Sequence, residues 1–415
     1  MGLVRPEFLD TGFVDPADAA ILPPARGDVG SRRGLIQVTT GLSICMISDD
    51  VYPALTGVGI HVQQVSRELV RRGHRVAVLT TRRAGEPALE LWQGVRLHRF
   101  FSLGVYGFAQ ALPSRQAILQ VLQQEAAQVV HHHYLGWMMT QACAVARDMA
   151  LPQISTYHFS AEVLTQAWAM RPFRPLIRRL ALGHHNQCQL VIAPSQALVR
   201  LLPSQGLRTP LRYISNPLAF ANQADVVPAV RATGLVVMYA GRLAPEKNLG
   251  LLLHAFADLR RLRPQARLWL AGQGPERPAL ERLCRALQIS TCVDFLGFLD
   301  PGELARHYAA CDVFVLPSVI EAQPLVAMEA MWFAKPVLVT SAIVAAEEMV
   351  TPGENGYIVD PQDPADLADR LHLLAADPAL RQKLGQEGHR RAQAYRPERV
   401  VDELEQAYRE VICRG

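Results

Sequence analysis

VFVLPSVIEAQPLVAMEAMWFAKPV, residues 313–337, holds the pattern from which the fold can be read. Val313–Pro317 is an unbroken apolar run, short enough for a strand and followed by a loop carrying Glu321. Residues 325–334, apolar but for Glu329, then run the length of a helix, and Pro336–Thr340 opens a second apolar run. Continuous apolar strands separated by helices belong to a parallel sheet covered on both faces. Upstream, the same alternation places strands at Leu235–Ala240, Ala266–Ala271 and Val293–Leu296, with helices at 248–262, 277–287 and 301–310. Downstream it gives Tyr357–Val359 and one long helix over 364–390.

The first half of the chain repeats the scheme. Strands are expected at Leu42–Ser48, Arg75–Thr80, Gly94–Phe100, Val129–His133, Gln153–His158, Leu190–Pro194 and Leu211–Ser215. Between the first two, Val62, Val65, Leu69 and Val70 share a helical face that Gly73 terminates. Pro217, Asn222, Pro228 and Gly234 interrupt the rhythm over 216–234 and mark a linker. The chain therefore reads as an α/β protein of two doubly wound units in series, with ligands expected at the carboxyl ends of the strands and between the units. The boundaries are a loose extension over 1–40, an N-terminal domain over 41–218 and a C-terminal domain over 219–395. A helix over 396–415 is left free to pack back on the first domain.

Composition narrows the function. The 415 residues are too many for one ordinary core and suit two domains. A net charge of +4 excludes a nucleic-acid surface built on bulk charge. The seven cysteines form no CxxC pair and read as reduced thiols. No apolar run reaches the ~18–20 residues of a spanning helix. With no secretory signal visible, a cytoplasmic protein is expected.

Several clusters carry chemistry. Glu321 and Glu329 flank a strand–loop–helix junction, where a carboxylate can accept from the two hydroxyls of a diol and a helix N-terminus can face a phosphate. Solvated glutamates or a helix cap are the plain alternative. Tyr239-Ala-Gly-Arg-Leu-Ala-Pro-Glu-Lys-Asn248 sets Arg242 and Lys247 after the tight turn at Gly241, an arrangement suited to a diphosphate and equally readable as a surface ion cluster. Gly274, in Leu270-Ala-Gly-Gln-Gly-Pro-Glu276, allows close backbone approach or merely makes a turn. Gly57 and Gly59 open the first strong helix, but Val62 stands where a dinucleotide fingerprint needs its third glycine. His158 ends a strand, where it could orient a substrate or simply be a structural histidine. In the run His131-His132-His133 only the outer two share a face and no acid stands beside them, so no metal is assigned.

Taken in order, SDDVYPALTGVGIHV (48–62), RELVRRGHRVAVLTT (67–81), TYH (156–158), VIAPS (191–195), ISNP (214–217), AGRLAPEKN (240–248), LAGQGPE (270–276), VDFLGFL (293–299) and CDVFVLPS…E…EAM…KPV (311–337) resemble glycosyltransferase family 4. The resemblance implies the GT-B fold: two Rossmann-like domains facing a cleft, the donor held mainly by the second and the acceptor by the first. It implies hexose transfer with retention from a UDP- or GDP-linked sugar to a lipid or saccharide hydroxyl, with no metal and no cofactor. Arg242 and Lys247 would take the diphosphate, Glu329 the ribose and Glu321 the sugar hydroxyls. His158 would stand beside the reacting centre, with Gly57, Gly59, Gly241 and Gly274 in the loops around the donor. One departure is Ala322-Gln-Pro-Leu325, where the family often has Gly-Phe-Gly-Leu. Pro324 has no N–H, which leaves Leu325 and Val326 as backbone donors and puts Gln323 where an aromatic often sits. The form resembles members that glycosylate diacylglycerol.

Ala161–Gly183 mixes Trp168, Phe173, Leu176, Ile177 and Leu180 with four arginines, which would suit the surface of an anionic membrane or an ordinary surface helix. A non-catalytic sugar-nucleotide-binding protein would keep the fold but lose the charged site residues, all present here. A nicotinamide oxidoreductase would need the missing glycine fingerprint.

Overall fold

The computed structural model describes residues 41–52, 56–105, 108–133, 135–158, 172–218, 226–230 and 233–414. Residues 1–40 and Ala161–Arg171 therefore lie outside the described part of the chain.

Two sheets are present. The first contains β1 (Ser43–Ile47), β2 (Arg75–Arg82), β3 (Leu89–Trp92), β4 (Val95–Val105), β5 (Phe108–Ala111), β6 (Val129–His132), β7 (Gln153–Thr156), β8 (Leu190–Ala193) and β9 (Leu211–Tyr213). Their order is β3-β4-β2-β1-β6-β7-β8-β9, with β5 added to β4. The second sheet contains β10 (Val236–Ala240), β11 (Arg267–Ala271), β12 (Val293–Gly297), β13 (Val313–Leu316), β14 (Val337–Thr340) and β15 (Gly356–Val359), in the order β12-β11-β10-β13-β14-β15. Pairing is parallel except where β3 and β5 join β4. Strand order reverses at β1/β6 and at β10/β13, so each sheet has one switch point where loops from neighbouring strands diverge and a ligand can enter.

Burial explains the apolar runs: β1, β10 and β13 are buried along their whole length. One cluster, running from Leu218 to Tyr395, forms the core around the second sheet. Another gathers Ile44, Val62, Leu69 and Val76 with Val400, Val401, Leu404, Ala407, Tyr408 and Val411. The helix Pro397–Arg414 thus completes the core of the first sheet. Arg72 adds polar contacts to it, donating to Asp402 at 2.6 Å and to the Glu398 carbonyl at 2.6 Å.

Two expectations are corrected. The helix over 364–390 is two helices, Pro364–Ala376 and Pro378–Ala392. Asp377 adopts an extended conformation between them, and its side chain accepts from the Leu380 amide as a cap. Pro378, with no N–H, starts the second helix where that lack costs nothing. The antiparallel strands β3 and β5 were not anticipated. All seven cysteines are free, six of them buried and Cys413 exposed. No helix among the described residues is long and apolar enough to cross a membrane.

Candidate active site

The residues expected on the donor side lie at the carboxyl ends of β10, β11 and β13. Gly241 follows β10 at φ +144°, and a Cβ there would stand 2.7 Å from the Tyr239 hydroxyl. The backbone turns sharply, and Arg242 pairs with the buried Glu246 at 2.5 Å. One residue later Lys247 Nζ pairs with Glu321 Oε1. Both cations are therefore held by carboxylates rather than loose on the surface. The loop after β11 interlocks with this one: Leu243 donates to the Gln273 carbonyl at 2.9 Å and Glu276 donates to the Leu243 carbonyl at 3.0 Å. A Cβ at Gly274 would fall 2.2 Å from the Leu243 oxygen, so the two loops can touch only because this residue has no side chain.

Glu329 lies in the helix Leu325–Trp332 and is 2 % exposed, which rules out a solvated or capping role. Its Oε2 accepts from the Tyr308 hydroxyl at 2.9 Å. Burial pushes its carboxyl up to about 7, against the opposing pull of the Tyr308 hydrogen bond. Pro324 stands at the N-cap of this helix, with Leu325 buried and Val326 half-buried just inside it.

On the other sheet, Gly57 and Gly59 begin the helix Gly57–Arg71 directly after β1. The Gly59 amide donates to Thr56 Oγ1 at 3.0 Å, so it serves as the cap donor. A Cβ at Gly57 would lie 3.9 Å from Leu325 Cδ1, so this end of the first sheet meets the donor-side helix of the second.

The histidine run that ends β6 divides three ways. His131 contacts Tyr408 Oη at 2.7 Å and Thr156 Oγ1 at 2.8 Å, and His132 contacts Gln153 Oε1 at 3.0 Å. His133 Nδ1 lies 3.2 Å from His158 Nε2, and the His61 ring centroid is 4.6 Å from that of His158. Burial holds His61, His133 and His158 neutral, well below the usual histidine range. Reading the run alone hid this cluster, because His61 comes from a distant helix. The three rings each offer a nitrogen within 4.8 Å of the others, and they are the one group among the described residues able to converge on a metal. Zinc ligated by imidazoles at ~2.1 Å would need those nitrogens about 3.4 Å apart.

Gln323 is also tied to the first sheet's domain. It is 6 % exposed, and its amide faces the segment after β9. Gln323 Oε1 accepts from the Asn216 amide at 2.9 Å and Gln323 Nε2 donates to Ser215 Oγ at 2.9 Å. The side chain binds one half of the molecule to the other, which is why a polar group is accommodated at an aromatic's usual place. Glu246, Tyr308, Asn216 and His61 were missed as site residues, although three of them stood inside motifs already singled out; Tyr308 alone carried no sequence signal.

Two doubly wound sheets meeting at the carboxyl ends of their strands, with a histidine cluster on one and paired cations on the other, make up a GT-B glycosyltransferase. The profile described as Glycosyltransferase Family 4 matches residues 55–222, and that described as Glycosyl transferases group 1 matches residues 223–391. The chain belongs to glycosyltransferase family 4. It is 32 % identical over 390 residues to a D-inositol 3-phosphate glycosyltransferase of Geodermatophilus obscurus, covering 85 % of this chain and 84 % of the relative. It is 26 % identical over 315 residues to an alpha-monoglucosyldiacylglycerol synthase of Streptococcus pneumoniae, covering 72 % and 70 %. The structure of sucrose-phosphate synthase from Thermosynechococcus elongatus superposes with a TM-score of 0.76 at 24 % identity, over 90 % of this chain and 99 % of that one.

Proposed function

We propose that the protein is a retaining hexosyltransferase that moves a sugar from a UDP- or GDP-linked donor to the hydroxyl of a lipid or saccharide, without a metal. The observation that carries this reading is the pairing of Arg242 with Glu246 and of Lys247 with Glu321 at the carboxyl end of β10. Two cations held in place by carboxylates are poised to offset the charge that grows on a departing diphosphate, which is the work a metal does in other transferases. Glu321, already a hydrogen-bond acceptor at that point, takes sugar hydroxyls, and Glu329 takes the ribose diol. His158, just past the end of β7, serves the acceptor side.

A lipid acceptor is favoured by the helix Arg174–His185 and the residue before it. Phe173, Leu176 and Leu180 are 53, 55 and 59 % exposed there, beside Arg178 and Arg179. The diacylglycerol named in the streptococcal relative is consistent with that surface. The test is a thermal-shift screen of UDP- and GDP-sugars, followed by transfer to diacylglycerol and to soluble saccharide acceptors. A true donor stabilises the native state by mass action. If no nucleotide sugar shifts the melting temperature and no transfer occurs, the reading fails. Inversion at the anomeric carbon, read by NMR of the product, would overturn retention alone.

A further inference from the structure

His61 belongs to no role assigned so far, yet its surroundings fix its chemistry. The Asn216 amide N–H can only donate, so the Gln323 side-chain atom 2.9 Å away must be the oxygen, and Gln323 Nε2 is left to donate to Ser215. The Gln323 backbone carbonyl can only accept, so the Asn216 atom 3.4 Å from it must be Nδ2. Asn216 Oδ1 therefore faces His61 Nδ1 at 2.9 Å, and Nδ1 carries the hydrogen. In a neutral imidazole the other nitrogen is then a lone-pair acceptor. That atom, His61 Nε2, is buried with no hydrogen-bond partner, and the ring borders His133 and His158. Buried acceptors are normally satisfied. Here the natural donor is a hydroxyl of the bound substrates.

We propose that His61 is a substrate-binding residue whose Nε2 accepts a hydrogen bond from a hydroxyl at the reacting centre, and that Asn216, itself held by Gln323 from the opposite half of the molecule, is the residue that sets its tautomer, both acting as positioning residues. The proposal rests on the glycosyl-transfer reading. The hydroxyl belongs either to the donor sugar or to the acceptor, and the chemistry of recognition is the same. The arrangement would also make the acceptor side sensitive to the donor-side loop, since Gln323 lies two residues from Glu321.

The test uses the full chain with its donor and acceptor. His61→Phe keeps the ring shape and removes the lone pair, whereas His61→Gln keeps one donor for Asn216 and one acceptor for the substrate. We expect His61→Phe to lower kcat/KM for transfer by about 10–100-fold, the loss typical of one buried hydrogen bond. Its nucleotide Kd should match the wild type, and His61→Gln should recover most of the activity. Gln323→Met should lower kcat/KM in the same direction with unchanged nucleotide Kd, and adding it to His61→Phe should cost little more, because the two act through one chain. If the hydroxyl is the donor's, hydrolysis of the nucleotide sugar without acceptor falls in parallel. If it is the acceptor's, hydrolysis is unchanged and acceptor kinetics alone shift. Wild-type transfer kinetics in His61→Phe, or fully additive losses in the double variant, would overturn the proposal. Should His61→Phe not fold, wild-type kinetics in Gln323→Met would do the same. A wild-type protein that binds no nucleotide sugar would instead sink the underlying reading.

Discussion

Nucleotide binding should release a proton through Glu329. The carboxyl is buried, and burial pushes it to about 7. To accept hydrogen bonds from both hydroxyls of a ribose it must be ionised. Below pH 7 the ligand therefore has to displace a proton, and the nucleotide Kd should rise about tenfold per pH unit. From pH 7 to 5.5 that amounts to a loss of roughly 15-fold, and of roughly 30-fold from the plateau above pH 8. Calorimetry at pH 7 in buffers of different ionisation enthalpy should find about half a proton released per nucleotide bound. Glu329→Gln should flatten the pH profile, and Glu329→Ala should weaken binding by about 10–100-fold at pH 8, the worth of one or two hydrogen bonds to a charged acceptor. Stability supplies a second sign. A carboxyl raised in the folded state contributes stability that is present below its unfolded value of 4.5 and is lost as pH rises toward 7. The ligand-free protein should therefore lose on the order of 3 kcal/mol from this group across that window, and Glu329→Gln should not. Comparison with that variant is needed because burial raises Asp49 to about 7 in the same direction. A nucleotide affinity independent of pH between 5.5 and 8, or a slope that survives in Glu329→Gln, would refute the ribose role.

Other outcomes follow from the same site. Arg242→Ala and Lys247→Ala should each lower kcat by about 10²–10³, more than they raise the donor KM, because they act on charge that develops as the bond breaks. Steady-state kinetics check this, and near-normal turnover in both would refute the assignment. Activity should survive EDTA, and complete loss that added metal restores would mean that the histidine cluster or another site holds a required ion. Vesicle sedimentation should show binding to anionic membranes that falls at high salt and weakens when Arg178 and Arg179 become Gln; binding to neither anionic nor neutral vesicles would remove the membrane contact.

The sheets were legible because buried parallel strands leave an unmistakable mark. Val313–Leu316 and Val236–Ala240 are apolar at every position since both faces are covered. The strand Leu89–Trp92 left no such mark: it is a half-exposed edge pairing antiparallel with β4. The break at Asp377 was readable in principle from the Asp-Pro pair, but apolar periodicity continues on both sides of it. In the candidate site, sequence motifs pointed to individual side chains but not to the partners that hold them. Arg242 and Lys247 announced themselves, but the carboxylates that hold them, Glu246 and Glu321, acquire that meaning only when the loops fold over each other. Gln323 was read for what the family places there, whereas its partners Ser215 and Asn216 lie more than a hundred residues away.

The helix Pro397–Arg414 carries a consequence for how the chain comes off the ribosome. Val400, Leu404 and Tyr408 fill the core of a sheet whose final strand ends at Tyr213. The first sheet can therefore be synthesised in full while a strip of its apolar surface has no cover. At 5–20 residues per second, the intervening stretch takes roughly ten to forty seconds to emerge. The second domain, whose core runs to Tyr395, is complete only at the end of that interval, and the first becomes native when this helix returns to it. The first half, although synthesised first, therefore becomes native no earlier than the second.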